Sequence, residues 1–152
     1  MALVGGTGSG KSTTLYNALA TIADGKRNII TLEDPIEFIH PHRKATFNQR
    51  ELGNDYDAFA SGLRAALRQA PKVILVGEMR DRETIELALT AVEMGILVFG
   101  TLHTSSAPKT VDRIVDVFPA GEQAQIRAMF AESCRAVISQ ALLRKKGGKG
   151  RV

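Results

Sequence analysis

The stretch GGTGSGKST, Gly5 to Thr13, constrains the fold of this chain more than any other. Gly5, Gly10, Lys11 and Ser12 satisfy the spacing G-x-x-x-x-G-K-[ST], with further glycines at Gly6 and Gly8. Such glycines let the backbone curl until successive amide N–H groups point at one anion, and a helix that begins at once turns its positive end on the same spot. The loop therefore needs a strand before it and a helix after it. MALV supplies the end of the strand, and Lys11 to about Ala23 the helix. On this reading Gly5, Gly6, Thr7, Gly8, Ser9, Gly10, Lys11, Ser12 and Thr13 form an ATP-binding loop. Lys11 brings a positive charge to the β and γ phosphates, and the Ser12 hydroxyl is a ligand for Mg2+.

Beyond the loop, short apolar runs alternate with longer amphipathic ones, the rhythm of an α/β chain. Asn28 to Glu33, Val73 to Gly77 and Ile96 to Thr101 are apolar nearly throughout, as strands covered on both faces should be. Helices are expected over Asp55 to Arg68, Asp81 to Glu93, Pro108 to Asp116 and Gly121 to Leu142. The second of these is well punctuated: Asp81 can cap its start, Ile85, Ala88, Leu89 and Val92 share a face, and Gly95 stands where a helix ends. In the last, Ile126, Phe130, Cys134, Val137, Ile138 and Ala141 fall on one stripe, which makes Cys134 a core residue. Asp34 to Asn54, interrupted by Pro35 and Pro41, reads as an extended loop with one edge strand near Ala45 to Asn48. His40 and His42 have no third ligand near them in sequence, so a metal site there is not expected.

At 152 residues and 44 % apolar, the chain has material for one core and reads as one domain. No run of eighteen apolar residues occurs and no secretion signal opens the chain, which leads to an expectation of a cytoplasmic location. One cysteine excludes an internal disulfide and a multi-cysteine zinc site. The net charge of +4 owes much to the tail RKKGGKGRV, which holds five of the twenty Lys and Arg residues. No aromatic residue stands among those charges to stack on bases, so a nucleic-acid partner is not expected.

A phosphate loop alone binds nucleotide; hydrolysis also needs a carboxylate near the metal and a group that orients water. Glu78 follows VILVG and emerges at the carboxyl end of a buried strand, where ligands bind in open parallel sheets. An Asp more often ends such a strand, but Gly77 holds that place, and the longer Glu78 can reach a Mg2+-bound water. LEDPIE clusters Glu33, Asp34 and Glu37 just past another strand, and with Glu78 these acids would repel one another unless a cation or a reaction uses them. Glu33 is placed as the base that polarises the attacking water. In FGTLHTSS, His103 lies just beyond a fourth strand, where a neutral imidazole can hydrogen-bond a γ-phosphate oxygen and sense its loss.

Taken together these segments resemble the GspE/PulE secretion-ATPase superfamily, and within it the PilT-type twitching motility ATPases that retract type IV pili. GGTGSGKST is similar to the family's Walker A, TLEDPIEF to its Asp box, VILVGEMRD to its Walker B and GTLHTSS to its His box, in the family's order. TVDRIVDVFPAGEQAQIRAMFAES, followed by VISQALL, resembles the segment after the His box of retraction ATPases. The resemblance implies a RecA-like core with a mostly parallel central sheet flanked by helices and followed by C-terminal helices. It also implies hydrolysis of ATP with Mg2+, a homohexamer, and an inner-membrane platform protein as partner at the cytoplasmic face. Lys11, Glu33, Glu78 and His103 carry over as phosphate lysine, Asp-box acid, Walker B acid and His-box residue. By the same comparison residues 1–152 are a fragment, a C-terminal ATPase domain that lacks a preceding PAS-like domain and the final helical sequence. Ala70 and Lys72 stand where the family has acidic residues.

Two other readings remain at the level of sequence. A pilus-assembly or type II secretion ATPase often carries a four-cysteine zinc insertion, which one cysteine cannot supply. A nucleotide-binding switch that does not turn over would have no use for three acids and a histidine around the phosphate, and the N-K-x-D motif of GTPases is absent. Arg64, Arg68 and Arg80 are all candidates for charge stabilisation, and the sequence selects none of them.

Overall fold

The computed structural model describes residues 1–41 and 45–151, so His42 lies outside the described residues. Among the described residues eleven elements run in the order β1 (Ala2–Val4), α1 (Lys11–Ile22), β2 (Asn28–Glu33), β3 (Thr46–Glu51), α2 (Phe59–Leu67), β4 (Val73–Val76), α3 (Arg82–Glu93), β5 (Leu97–Leu102), α4 (Ala107–Asp116), α5 (Ala120–Ser133) and β6 (Val137–Ser139). Among the described residues six strands form one sheet in the order β3-β2-β4-β5-β1-β6, and every pairing is parallel. Parallel pairing requires a crossover between neighbours, and the alternation of strands and helices in the chain provides it.

Successive side chains of a strand point to opposite faces, so a strand covered on both sides must be apolar at every position. Ile29, Val73 and Leu75 pack with Leu3, Phe99 and the α1 residues Leu15 and Leu19 on one face. Their neighbours Ile30, Ile74 and Val76 pack on the other, with Leu63 and Ala66 of α2 and Ala88 and Ala91 of α3. A further cluster joins Val4 and Leu102 to Ile85, Ile114, Phe118 and Ile126 beneath α3, α4 and α5. Helix α3 keeps the expected punctuation. Asp81 accepts from the Thr84 N–H and hydroxyl, both at 2.8 Å, and Gly95 takes φ +82° just past the end.

Two expected helices change at their ends. The first begins at Phe59 instead of Asp55, because residues 51–56 fold back on the end of β3. There the Asp55 carboxylate accepts from the Glu51 N–H at 2.7 Å and the Gly53 N–H donates to the Tyr56 carbonyl at 2.9 Å. The last expected helix, Gly121 to Leu142, is corrected more deeply: α5 stops at Ser133, and Val137–Ser139 becomes a strand beside β1. Without β6, β1 would be the edge of the sheet with one side of its backbone unpaired. Ala2 N–H instead donates to the Ala136 carbonyl and Gln140 N–H to the Val4 carbonyl. The ladder and the β-branched pair Val137 and Ile138 outweigh the local helical stripe. Of that stripe Ile126 is buried, Cys134 lies between buried and exposed, and Ile138 and Ala141 are exposed, so Cys134 is not the core residue expected. The edge strand expected near Ala45 to Asn48 is present as β3 and extends to Glu51. Among the described residues no helix is long and apolar enough to cross a membrane.

Candidate functional site

Strand order decides which residues can meet. β2, β4, β5 and β1 are consecutive in the sheet, and all four point the same way, so their carboxyl ends open on one edge. The register aligns Leu32 with Val76 and Val76 with Gly100, while Val4 aligns with Leu102. Glu33, Gly77 and Thr101 therefore stand level, with Glu78 and His103 one and two steps beyond. A cavity of about 490 Å³ opens there, lined by Thr7, Gly8, Gly10, Lys11, Ser12 and Thr13 from the loop and by Glu33, Glu78 and His103 from the other strand ends. Asp34, Glu37 and Arg80 line it too, as do Tyr16 and Gly77. Gly5, Gly6 and Ser9 do not line the cavity. Gly5 and Ser9 are buried beneath the loop and Gly6 is exposed.

The loop is held open by its own backbone. Gly8 and Gly10 adopt φ +73° and +87°, the left-handed region a side chain strongly resists. Gly10 is the N-cap of α1 and offers no side-chain acceptor to the first N–H groups of the helix, which leaves them for an anion. Lys11 is only 9 % exposed, and its ammonium donates to the Gly5 carbonyl at 3.0 Å and the Gly6 carbonyl at 3.1 Å. The Ser9 hydroxyl is buried without a hydrogen-bond partner among the described residues. A buried hydroxyl left so is costly, and since Ser9 does not line the cavity it is the Lys11 ammonium that a phosphate oxygen there suits.

Glu33 is the most enclosed acid of the site, 4 % exposed. Its Oε1 accepts from the Thr31 hydroxyl at 2.5 Å and from Gln49 Nε2 at 3.1 Å, and its Oε2 from the Tyr16 hydroxyl. Burial, and then the hydrogen bond to Glu33, push the Tyr16 phenol well above its ordinary range, so it stays a donor. Gln49 ties the carboxylate to the loop after β2: its Oε1 accepts from the His40 N–H at 2.7 Å and its Nε2 also donates to the Phe38 carbonyl at 2.9 Å. His40 itself is packed among aromatics, stacked on Phe47 with ring centroids 4.5 Å apart and edge-on to Tyr16 at 4.9 Å. Burial lowers its pKa and favours the neutral ring.

Glu78 is more open, its side chain 17 % exposed, paired with Arg80 and 3.6 Å from His103 Nε2. Of the three arginines singled out in the sequence, Arg80 reaches the cavity, whereas Arg64 pairs with Glu83 across α2 and α3. Gly77 explains why Glu78 stands one residue late. A Cβ at Gly77 would lie 2.7 Å from the Leu32 carbonyl oxygen and 3.2 Å from Glu33 Cα, both backbone atoms that cannot swing aside. The Gly77 N–H instead donates to the Leu32 carbonyl at 2.7 Å. Gly77→Ala is expected to cost about 1–3 kcal/mol of stability, read as a lower urea midpoint. An unchanged midpoint would mean that β2 and β4 separate freely at this point.

Sequence reasoning passed over Tyr16, Gln49 and Gln140. Tyr16 lies five residues past Lys11 on α1, and Gln49 sits opposite Thr31 in the β2–β3 register, a pairing that only the fold reveals. Gln140 was hidden by the expectation of a helix through Leu142.

A sequence-family profile described as Type II/IV secretion system protein matches residues 1–151. The chain is 59 % identical over 151 residues to the type IV pilus retraction ATPase PilT of Pseudomonas aeruginosa, covering 99 % of this chain and 44 % of that protein. It is 60 % identical over 151 residues to a twitching motility protein of Neisseria gonorrhoeae, covering 99 % of this chain and 40 % of that one. Among solved structures, that of the pilus retraction motor PilT with bound ADP superposes with a TM-score of 0.93 at 55 % identity, covering 99 % of this chain and 44 % of the other. The chain thus spans less than half the length of these relatives, across the part that holds the phosphate loop and the strand ends around it. On the strength of the match over residues 1–151, this chain belongs to the type II/IV secretion system protein family.

Proposed function

We propose that this chain is the ATP-hydrolysing core of a motor that retracts type IV pili. One observation carries the reading: the carboxyl ends of four adjacent strands bring a phosphate loop, two acids and a histidine around one cavity. The likeness to pilus retraction and twitching motility proteins supports the direction of the motor.

In this reading the loop amides and the start of α1 hold the β and γ phosphates. Lys11 leaves the Gly5 and Gly6 carbonyls to neutralise the charge that builds on the transferred phosphoryl group. Glu33 orients a water for in-line attack on the γ-phosphorus and takes its proton. The bond to the bridging oxygen of ADP breaks, and phosphate is released. The open lone pair for that proton is on Oε2, which accepts from Tyr16 alone, since Oε1 already accepts two hydrogen bonds. Among the described residues no group of three His, Cys, Asp or Glu side chains is placed to hold a metal by itself. Ser12 and Glu78 offer hard oxygen donors on the cavity wall and fit a Mg2+ ion that arrives with the phosphates and keeps its waters. Such an ion, once bound, neutralises charge on the β and γ oxygens. His103, beside Glu78, is placed to sense the γ-phosphate.

The whole protein is proposed to act as a homo-oligomeric ring, a hexamer, at the cytoplasmic face of the inner membrane on a platform protein of the pilus. Arg80, whose side chain is 67 % exposed, contributes charge within its own site, and a further arginine from a neighbouring subunit can complete it. ATP turnover by the protein with its natural flanks is expected in Mg2+ and lost in EDTA. Equal turnover in both would overturn the metal's role, and deletion of the gene should abolish retraction while pili still assemble.

A further inference from the structure

Gln140, the residue directly after β6, grips the phosphate loop from outside. Its Nε2 donates to the Ser9 carbonyl at 2.7 Å, its Oε1 accepts from the Thr14 hydroxyl at 2.8 Å, and its backbone N–H donates to the Val4 carbonyl at 2.8 Å. These bonds reach back 131, 126 and 136 residues, to the loop, to the first turn of α1 and to the last residue of β1. The chemistry follows from the loop's own geometry. When amides turn inward to face phosphate, carbonyls turn outward and need donors of their own. Lys11 serves Gly5 and Gly6, Thr14 N–H serves Gly10, and Gln140 serves Ser9.

The fit is tight. A Cβ at Gly5 would run into the Gln140 carbonyl oxygen, and one at Gly10 would come within 2.8 Å of Gln140 Nε2. At Gly5 the obstacle is Gln140 backbone, which cannot swing aside, while at Gly10 it is the end of a flexible side chain and the positive φ is the stronger demand for glycine. β6, in contrast, is thinly attached: three residues long, with Val137 half-buried and Ile138 and Ser139 exposed. A short, exposed edge strand opens locally at far lower cost than the central strands.

We propose that Gln140 is a positioning residue that latches the phosphate loop in its nucleotide-binding form, so that nucleotide affinity and the docking of β6 on β1 are two readings of one equilibrium. Linkage makes the coupling reciprocal: nucleotide that holds the loop also holds β6, and release of β6 weakens nucleotide by the same factor. Opening the latch is then a route to product release that needs no movement of the central sheet. This inference rests on the loop's binding nucleotide, as proposed above.

The test uses Mg-ADP as probe and the full-length protein, with calorimetry for affinity and hydrogen exchange for β6. Gln140→Leu keeps the bulk and removes both side-chain bonds. It is expected to weaken ADP by about five- to thirtyfold, since each bond is worth about a factor of five. Thr14→Val should weaken ADP by about fivefold alone and add nothing in the Gln140→Leu background, because its partner is already gone. Gln140→Glu, which accepts from Thr14 but cannot donate to Ser9, should also bind ADP more weakly than the wild type. ADP should slow exchange of the amides at positions 2 and 140 in the wild type and leave them unchanged in Gln140→Leu. A merely structural role for Gln140 would lower thermal stability without these shifts. Wild-type ADP affinity in Gln140→Leu, additive losses in the double variant, or β6 exchange indifferent to ADP would each overturn the latch. Failure of the wild type itself to bind ADP would instead bring down the nucleotide reading, and the latch with it.

Discussion

Glu33→Gln is expected to lower ATP turnover by about 10²–10⁴-fold while nucleotide still binds. The substitution keeps the shape of the side chain and removes its capacity to take a proton. Binding survives because the groups proposed to face phosphate belong to the loop between β1 and α1 and to the first turn of α1, while Glu33 reaches the cavity from β2. Stability changes in a separate and smaller way. Tyr16, Thr31 and Gln49 all donate to the Glu33 carboxylate, and an amide can accept through only one of its two terminal atoms. At least one of these donors loses its acceptor, at a cost of about 1–3 kcal/mol. Thermal unfolding measured beside phosphate release separates the two effects, and a variant that is folded at the assay temperature and turns over like the wild type would remove Glu33 from the chemistry.

Lys11→Ala is expected to lose both functions. The ammonium is nearly buried and bonded to two carbonyls, and in the proposed function it exchanges these for phosphate oxygens. Loss of one such charge-assisted interaction costs about 1.5–3 kcal/mol, or roughly ten- to 150-fold in nucleotide affinity. Loss of a preorganised positive charge from the transition state costs about 10²–10³ in turnover besides. Equilibrium binding of ADP and steady-state phosphate release should both fall, and unchanged affinity would mean that the ammonium stays with the loop when nucleotide arrives.

Much of this site could be read along the chain because its parts sit at landmarks. The phosphate loop is continuous, and Glu33, Glu78 and His103 each follow an apolar run that is a strand in the structure, Asn28–Glu33, Val73–Val76 and Leu97–Leu102. In an α/β chain, ends of parallel strands gather on one edge, so residues far apart in sequence can be grouped before their contacts are known. The strand order then decides the matter, and it places the four carrying strands side by side.

The supports of the site were not legible for the opposite reason. Gln49 reaches Glu33 from an edge strand whose register no local pattern fixes, and Tyr16 does so from a helix position that looks like any amphipathic surface. Gln140 was misplaced because Ile126, Phe130, Cys134 and Val137 repeat at helical spacing straight through the end of α5. What ends the helix is distant: the open edge of β1, whose Ala2 and Val4 stand 134 and 136 residues before their partners Ala136 and Gln140, offers backbone partners that a continued helix would leave unused. Local periodicity reports the burial of a face, and it carries no record of an unpaired strand elsewhere in the chain.

The central claim is that one cavity divides its work, with the loop holding nucleotide and Glu33 acting on water. Its most direct test is phosphate release and nucleotide occupancy measured on the same sample of full-length Glu33→Gln in Mg-ATP. The division of labour predicts a protein loaded with ATP and nearly silent in phosphate release. Release at the wild-type rate from an equally loaded sample would contradict it.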